Sequence, residues 1–284
     1  MVDITLKKNT LREATAQAII KVSKKETIQA IEQKKVPKGD VFEMSRAAGL
    51  LGVKKTPEIL PDCHPIPIEY TGFEYEINGL EITVLCTIKT IYKTGVEVEA
   101  MHGASVVALN IYDMLKPIDK GVFISDVKLE NKKGGKSEYS KDIDPNLTAS
   151  VFVCSDSVSA GKKQDFAGKA IISELKNNKV NVVDYVIIPD NENDIKTQLK
   201  KAINKKIDLI IYTGGTGLSK TDITPETLMP LIERRIPGVE EAMRSYGQNR
   251  TPYAMLSRSL AGLIGDTLVL SLPGSTGGAK ETMQ

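Results

Sequence analysis

Leu209-Ile210-Ile211-Tyr212-Thr213-Gly214-Gly215-Thr216-Gly217 passes from an unbroken apolar run straight into a glycine-rich loop. A short apolar run bounded by turn residues reads as a strand buried on both faces, as in the middle of a parallel sheet. In such sheets ligands collect outside the carboxyl ends of the strands. The loop is therefore a candidate phosphate cradle, since glycines let backbone N–H groups approach oxygens and threonine hydroxyls add donors. It matches neither G-x-x-x-x-G-K-[ST] nor G-x-G-x-x-G, so P-loop and dinucleotide labels do not apply. Taken alone, the loop could equally be a tight strand-to-helix turn.

Outward from that loop, strand and helix patterns alternate. Ser150 to Cys154 and Val180 to Ile188 read as strands, Phe166 to Lys176 and Asn193 to Asn204 as helices, and Thr267 to Leu272 as a last strand. The helix from Asn193 carries Ile195, Leu199, Ala202 and Ile203 in one apolar stripe. This rhythm predicts a doubly wound, Rossmann-like α/β domain. The residues just past its strands are Ser155-Asp156-Ser157, Pro189-Asp190, Thr213 to Gly217 and Pro273-Gly274-Ser275. Asp190 and Asp222, each a turn or cap residue if read singly, together form a carboxylate pair able to hold Mg²⁺ against phosphates. Ser275 reads as a helix cap with barely three turns left before Gln284, so the domain is expected to stop short of its natural length.

The first half has a different grammar. Small and apolar residues alternate from Arg12 to Ser23 as in a half-buried strand, and helical patterns follow over Lys25 to Gln33 and Asp40 to Leu51. Two β-rich runs, Ile66 to Ile77 and Leu80 to Ile91, are joined by Asn78-Gly79, a hairpin signal. Ala100 to Leu115 reads as a helix and Val122 to Leu129 as a strand, which together give an α+β sheet-and-helix layer. Asn131 to Leu147, with almost no apolar residues, reads as a linker, and the domains are set at 1–137 and 149–284 around a linker at 138–148.

Composition narrows the functional classes. Net charge is +2 and there is no tryptophan, which argues against a nucleic-acid-binding field or stacking platform. Cys63, Cys86 and Cys154 are odd in number and widely spaced, unlike a disulfide framework or a zinc ribbon, and fit a reducing cytoplasm. No window approaches a membrane span, and the N-terminus lacks a signal core.

The polar clusters of the first half are ambiguous one by one. Asp113 and Lys116, three apart, read as a surface ion pair. Glu97 and Glu99 face one pocket only if Gly95 to Glu99 is strand-like or looped. His64 beside Cys63 lacks the further ligands of a zinc site. Gly134-Gly135-Lys136-Ser137 looks like a Walker fragment, but Glu130 stands where the first glycine must be.

At Ser155-Asp156, Pro189-Asp190, Thr213 to Gly217, Asp222-Ile223-Thr224-Pro225, Pro237-Gly238 with Glu241 and Arg244, Leu256-Ser257-Arg258 and Pro273-Gly274, the second half resembles the molybdopterin adenylyltransferase family. The resemblance implies ATP-dependent transfer of AMP to a pterin dithiolene phosphate with loss of pyrophosphate, and Mg²⁺ and ATP as cofactors. It makes Asp190 and Asp222 the catalytic, metal-holding carboxylates. Ser155, Asp156, Thr213, Gly214, Gly215, Thr216, Gly217, Ser257, Arg258, Pro273, Gly274 and Ser275 are then implied to bind nucleotide or pterin.

The first half resembles the cyclic pyranopterin monophosphate synthase family. The residues that carry this include Val2-Asp3-Ile4, Arg12-Glu13-Ala14, Lys38-Gly39-Asp40-Val41-Phe42, Cys63-His64-Pro65, Lys93 to Glu97, Glu99-Ala100, Ile111 to Met114 with Lys116, and Gly134 to Ser137. The resemblance implies a ferredoxin-like domain in a dimer-based hexamer, with sites built across subunit contacts. The reaction rearranges a cyclised GTP-derived triphosphate to cyclic pyranopterin monophosphate, with loss of pyrophosphate and without a cofactor. On this reading Asp113, Lys38, Lys116, His64, Glu97 and Glu99 are catalytic, and Asp62, Cys63, His64, Val98 and Glu99 touch substrate. A lysine near another cation would have its pKa lowered toward a useful value. Asp62 and Val98 depart from the family's usual apolar residue and methionine.

Together the halves imply a cytoplasmic bifunctional enzyme acting on small molecules, with no nucleic-acid or membrane partner. Two alternatives are a catalytic first half joined to a pterin-binding or scaffold module, and a general nucleotide hydrolase in the second half.

Overall fold

The computed structural model describes residues 1–135, 144 and 146–283. The chain divides into two compact units, Met1–Lys141 and Asp142–Gln284. Most of the expected linker, along with Lys136 and Ser137 of the glycine-lysine motif, lies outside the described residues. The polar stretch from Asn131 does not begin as linker, because Asn131, Lys132 and Lys133 complete a strand. That strand is the edge of its sheet, where polar residues on both faces are tolerated.

The N-terminal unit runs β1 (Thr10–Lys21), α1 (Lys25–Glu32), α2 (Val41–Lys54), α3 (Thr56–Ile59), β2 (Tyr70–Asn78), β3 (Glu81–Tyr92), α4 (Glu97–Leu115) and β4 (Phe123–Lys133). Asp40 caps α2 by accepting hydrogen bonds from the Phe42 and Glu43 amides. The β2–β3 hairpin turns at Asn78-Gly79, where Gly79 sits at φ +63°, and β2 starts at Tyr70 rather than Ile66. The sheet order is β2-β3-β1-β4 with every neighbour antiparallel. Each helical connection therefore crosses one intervening strand: β1 reaches β2 over β3, and β3 reaches β4 over β1. Small residues bring α4 close to the sheet, with Ala14, Ala16 and Ala18 of β1 and Ala100, Ala104 and Ala108 of α4 all fully buried in one core. At Gly103 a Cβ would come within 2.6 Å of Val53 and 2.8 Å of the Cys86 sulfur.

The C-terminal unit runs β5 (Thr148–Cys154), α5 (Asp156–Ser159), α6 (Ala167–Asn177), β6 (Asn181–Ile188), α7 (Glu192–Asn204), β7 (Leu209–Thr213), α8 (Thr224–Leu228), β8 (Arg234–Arg235), α9 (Pro237–Gln248), β9 (Leu260–Ile264), β10 (Thr267–Leu272) and α10 (Thr276–Thr282). The sheet order is β6-β5-β7-β10-β9-β8. The first four strands are parallel, as the alternation predicts, while β9 and β8 add antiparallel neighbours, so the sheet is mixed. One core packs Ile195, Leu199 and Ala202 of α7 with Phe152 and Tyr212; a second packs Ala167, Ile171 and Leu175 of α6 with Val151 and Ile211. Neighbouring strand residues thus feed two different cores, which is why these strands are apolar throughout rather than alternating. Among the described residues, no helix is long and apolar enough to cross a membrane.

Candidate active sites

In the N-terminal unit the expected site residues fall into two groups. At the C-terminal end of α4, Asp113 sits between two ammonium groups: Lys38 Nζ donates to Oδ2 at 2.5 Å and Lys116 Nζ to Oδ1 at 2.7 Å. Lys38 arrives from the turn before α2, where Gly39 adopts φ +103°. The Lys116 and Lys38 hydrogen bonds hold the Asp113 carboxyl low, at about 2. In return Asp113 raises the Lys116 pKa, the reverse of the lowering expected from a neighbouring cation, because the carboxylate touches the ammonium directly.

At the other end of α4 a cavity of about 600 Å³ is lined by Asp62, Cys63, His64, Glu97, Val98 and Glu99, together with residues of the N-terminal segment and Lys7. His64 Nε2 lies 2.9 Å from the Val2 carbonyl oxygen, which can only accept, so Nε2 is the donor of this hydrogen bond. Asp62 accepts from the N-terminal ammonium at 3.0 Å. Glu99 is buried, and burial pushes its carboxyl up, with Glu97 adding to the rise. Glu97 and Glu99 share this cavity although Gly95 to Glu99 is not a strand or loop throughout: α4 begins at Glu97. The cavity lies at the helix end, where residues of different faces can reach a common space.

Glu99 and Asp113 are fourteen residues apart on one helix, or about 21 Å along its axis. Neither Lys38, Asp113 nor Lys116 lines the cavity that holds His64 and Glu99. Within one chain, then, the implied catalytic set is divided.

A neighbouring cleft of about 660 Å³ shares Lys7, Thr94, Gly95 and Glu97 with that cavity and adds Arg12, Lys132 and Lys133. Arg12 is tied to the Tyr92 carbonyl at 3.2 Å, and Lys132 pairs with Glu97 at 3.1 Å. Sequence reading gave these cations no role of their own. They lie in segments more than a hundred residues apart and meet because β1 pairs with β4, Ala14 standing opposite Lys132.

The C-terminal site is gathered rather than split. β5 lies between β6 and β7, so the chain steps to one side from β5 to β6 and then crosses back past β5 to β7, which opens a crevice at the strands' carboxyl ends. A cavity of about 310 Å³ is found there, lined by Cys154, Ser155, Asp190, Thr213, Gly214, Gly215, Asp222 and Gly274 among others. Gly214 and Gly215 adopt φ +100° and +62°. A Cβ on Gly214 would lie 2.1 Å from the Cys154 carbonyl oxygen, and one on Gly274 would lie 2.9 Å from Gly214 Cα. The loops after β5, β7 and β10 therefore touch backbone to backbone.

Asp156 and Asp190 clasp each other. The Asp156 amide donates to Asp190 Oδ2 at 3.1 Å, and the Asp190 amide donates to Asp156 Oδ1 at 3.0 Å. Asp190 Oδ1 is buried with no hydrogen-bond partner. Burial raises the Asp190 pKa, opposed by the Asp156 amide and reinforced by the charges of Asp156 and Asp222. Asp222 Oδ2 accepts from the Ser219 amide at 2.9 Å. Burial also pushes the Cys154 thiol up to about 12.

Other expected ligand contacts have structural work or sit elsewhere. Arg258 donates to the carbonyls of Gly217 at 2.9 Å and Asp222 at 2.6 Å and pairs with Glu226, so its guanidinium holds the loop together. Thr216 is buried, and Thr213 Oγ1 donates to the Pro273 carbonyl at 2.8 Å. Ser257, Pro273 and Ser275 line a second cavity of about 280 Å³ with Arg244, Tyr253 and Ser259. Ser275 caps α10 by accepting from the Gly278 amide.

Residues 1–135 match the MoaC family, and residues 150–284 match a family described as a probable molybdopterin binding domain. A molybdenum cofactor biosynthesis bifunctional protein of Chlorobaculum tepidum is 38% identical over 284 residues, covering all of this chain and 90% of that protein. The chain belongs to this family of bifunctional proteins. A second member, from Synechococcus elongatus, is 34% identical over 97% of this chain and 90% of its own length. A cyclic pyranopterin monophosphate synthase of Aquifex aeolicus is 43% identical over 143 residues, 50% of this chain and 56% of that protein. The MoaC-type unit comes first along the chain and the molybdopterin-binding type second.

Proposed function

We propose that the N-terminal unit converts 3',8-cyclo-7,8-dihydroguanosine triphosphate to cyclic pyranopterin monophosphate and pyrophosphate. The observation that carries this reading is the Lys38–Asp113–Lys116 trio, a carboxylate that accepts protons and two ammonium groups that donate them or contact phosphate. Its separation from the cavity of His64 and Glu99 supports a site completed by a second copy of the chain. The β2-β3-β1-β4 order supports the ferredoxin-like assignment, since it is that of a split βαβ pair. The basic cleft beside the cavity suits the substrate's phosphates. Synthase assays across sized fractions test the shared site: activity should run with the oligomer, and full activity in a monomer would defeat the proposal.

The C-terminal unit, on the same proposal, adenylylates molybdopterin using ATP and Mg²⁺. Chemistry of this kind depends on positioning and charge stabilisation and needs no protein nucleophile. Asp190 and Asp222 fit a divalent cation because Asp190 Oδ1 is buried and unpartnered, and both line one cavity. A cation here would be shared between the two carboxylates and substrate phosphates. When bound, Mg²⁺ would neutralise charge on those phosphates. The clasp with Asp156 keeps Asp190 turned toward the crevice, and the glycine loop offers its amides.

Incubating the full chain with molybdopterin, ATP and Mg²⁺ and seeking adenylylated pterin by mass spectrometry tests this. Pterin binding without product would favour a binding or scaffold module, as the family description for residues 150–284 allows. ATP turnover without pterin would favour a hydrolase. Nucleotide-derived substrates and three free cysteines support a cytoplasmic location on this reading.

A further inference from the structure

Two buried polar atoms that lack hydrogen-bond partners face the same small space in the C-terminal unit. They are Asp190 Oδ1 and Thr224 Oγ1. A Cβ at Gly215 would lie 2.9 Å from the first and 2.3 Å from the second, so only a glycine leaves that space open. Thr224 is fully buried, and its amide donates to the Gly215 carbonyl at 3.1 Å, which fixes the threonine beneath the loop. The Cys154 thiol interacts with this hydroxyl, but a thiol is a weak hydrogen-bonding partner and leaves the oxygen's ligating capacity unused. A buried hydroxyl left unsatisfied is costly, and one kept in that state calls for an explanation, of which a bound ion is one.

We propose that the Thr224 hydroxyl is a third protein oxygen of a divalent-cation site formed with Asp190 and Asp222 under the glycine loop. This rests on the reading of the unit as Mg²⁺-dependent and adds a residue to it. Hard cations take oxygen ligands of either charge. A neutral hydroxyl adds a lone pair without adding a third negative charge to a site where Asp156 already crowds Asp190. Gly215 is then needed for access as well as for its positive φ.

The test is Mn²⁺ affinity of the full chain, read from the free-Mn²⁺ electron paramagnetic resonance signal, in the wild type and in Thr224→Val, Thr224→Ser and Asp190→Asn. Thr224→Val keeps the shape and loses the hydroxyl, so it should bind Mn²⁺ about tenfold more weakly or worse, while Thr224→Ser stays within about threefold. Thermal unfolding confirms that each variant is folded, and Thr224→Ala replaces the valine variant if that one is not. Wild-type affinity in Thr224→Val with loss in Asp190→Asn overturns the Thr224 assignment and leaves the cation reading standing. Wild-type affinity in Asp190→Asn overturns both. Equal weakening in the serine and valine variants also overturns the assignment, since the hydroxyl would then not be what matters.

Discussion

The two units place their chemistry in opposite ways. In the C-terminal unit, parallel β5, β6, β7 and β10 all end on one edge, so Ser155, Asp190, Gly214 and Gly274 meet although they span 120 positions of chain. In the N-terminal unit every strand pair is antiparallel, and successive strand ends alternate between edges. The long helix α4 then carries acidic residues at both ends, with Glu99 in one cavity and Asp113 in a separate ion-pair cluster. A parallel sheet gathers its strand-end residues within one chain; in this antiparallel layer they stay divided.

The contrast can be broken most forcefully at Asp113. Asp113→Asn should cut formation of cyclic pyranopterin monophosphate about 10³-fold while adenylyl transfer stays within about twofold. Parallel assays of both products check this, and loss of both activities would mean the two sites are not independent.

Gly214→Ala is next in size. It forces a side chain onto the Cys154 carbonyl at a φ of +100°, and should destabilise the C-terminal unit by about 3 kcal/mol. In denaturant titrations only the transition of that unit should move. At the same site, Asp222→Asn should lose about 10²-fold or more in adenylyl transfer while retaining pterin binding. Unchanged turnover in that variant would remove Asp222 from the catalytic assignment.

The smallest expected effect is in the scaffold of the N-terminal unit. Asp119 is fully buried and accepts from the Ser23 amide and hydroxyl, the Thr27 hydroxyl and the Gly121 amide. Burial raises its pKa, but these bonds together outweigh that and hold the carboxyl at about 2. With the folded value below the ordinary 3.8, its stabilisation is complete above about pH 4 and is lost as pH falls toward 2. Asp119→Ala should cost about 2 kcal/mol near neutrality and flatten that acid limb, both measurable from denaturation midpoints against pH.

Much of the fold was legible because local chemistry and tertiary structure agree. Asn78-Gly79 announced its hairpin, and the stripe of Ile195, Leu199 and Ala202 announced α7. What escaped had a signal that competed with a stronger neighbour. α9 carries Val239, Ala242, Met243 and Tyr246 at helical spacing behind Pro237, and β9 turns into β10 at Gly265-Asp266 with Gly265 at φ +55°. The start of α4 was placed three residues late because its first turn is acidic, which favours a helix N-terminus but interrupts the apolar pattern.

The sites were less legible than the fold, and for a definite reason. Residue type marked Asp190, Asp222 and Asp113, but not which oxygen is occupied. That Asp156 faces Asp190 through the backbone, and that Arg258 is spent on the Gly217 and Asp222 carbonyls, follows only from how the loops are stacked. Register alone brings Arg12 near Lys132, and no spacing in the chain encodes it locally.

The contact of Gly274 with Gly214 has a consequence for how this domain can change over generations. Because neither position has room for a side chain, a substitution at one cannot be rescued by shrinking the other. Any change to the crevice that keeps these loops stacked must then be made at other positions, with the two glycines as its fixed point.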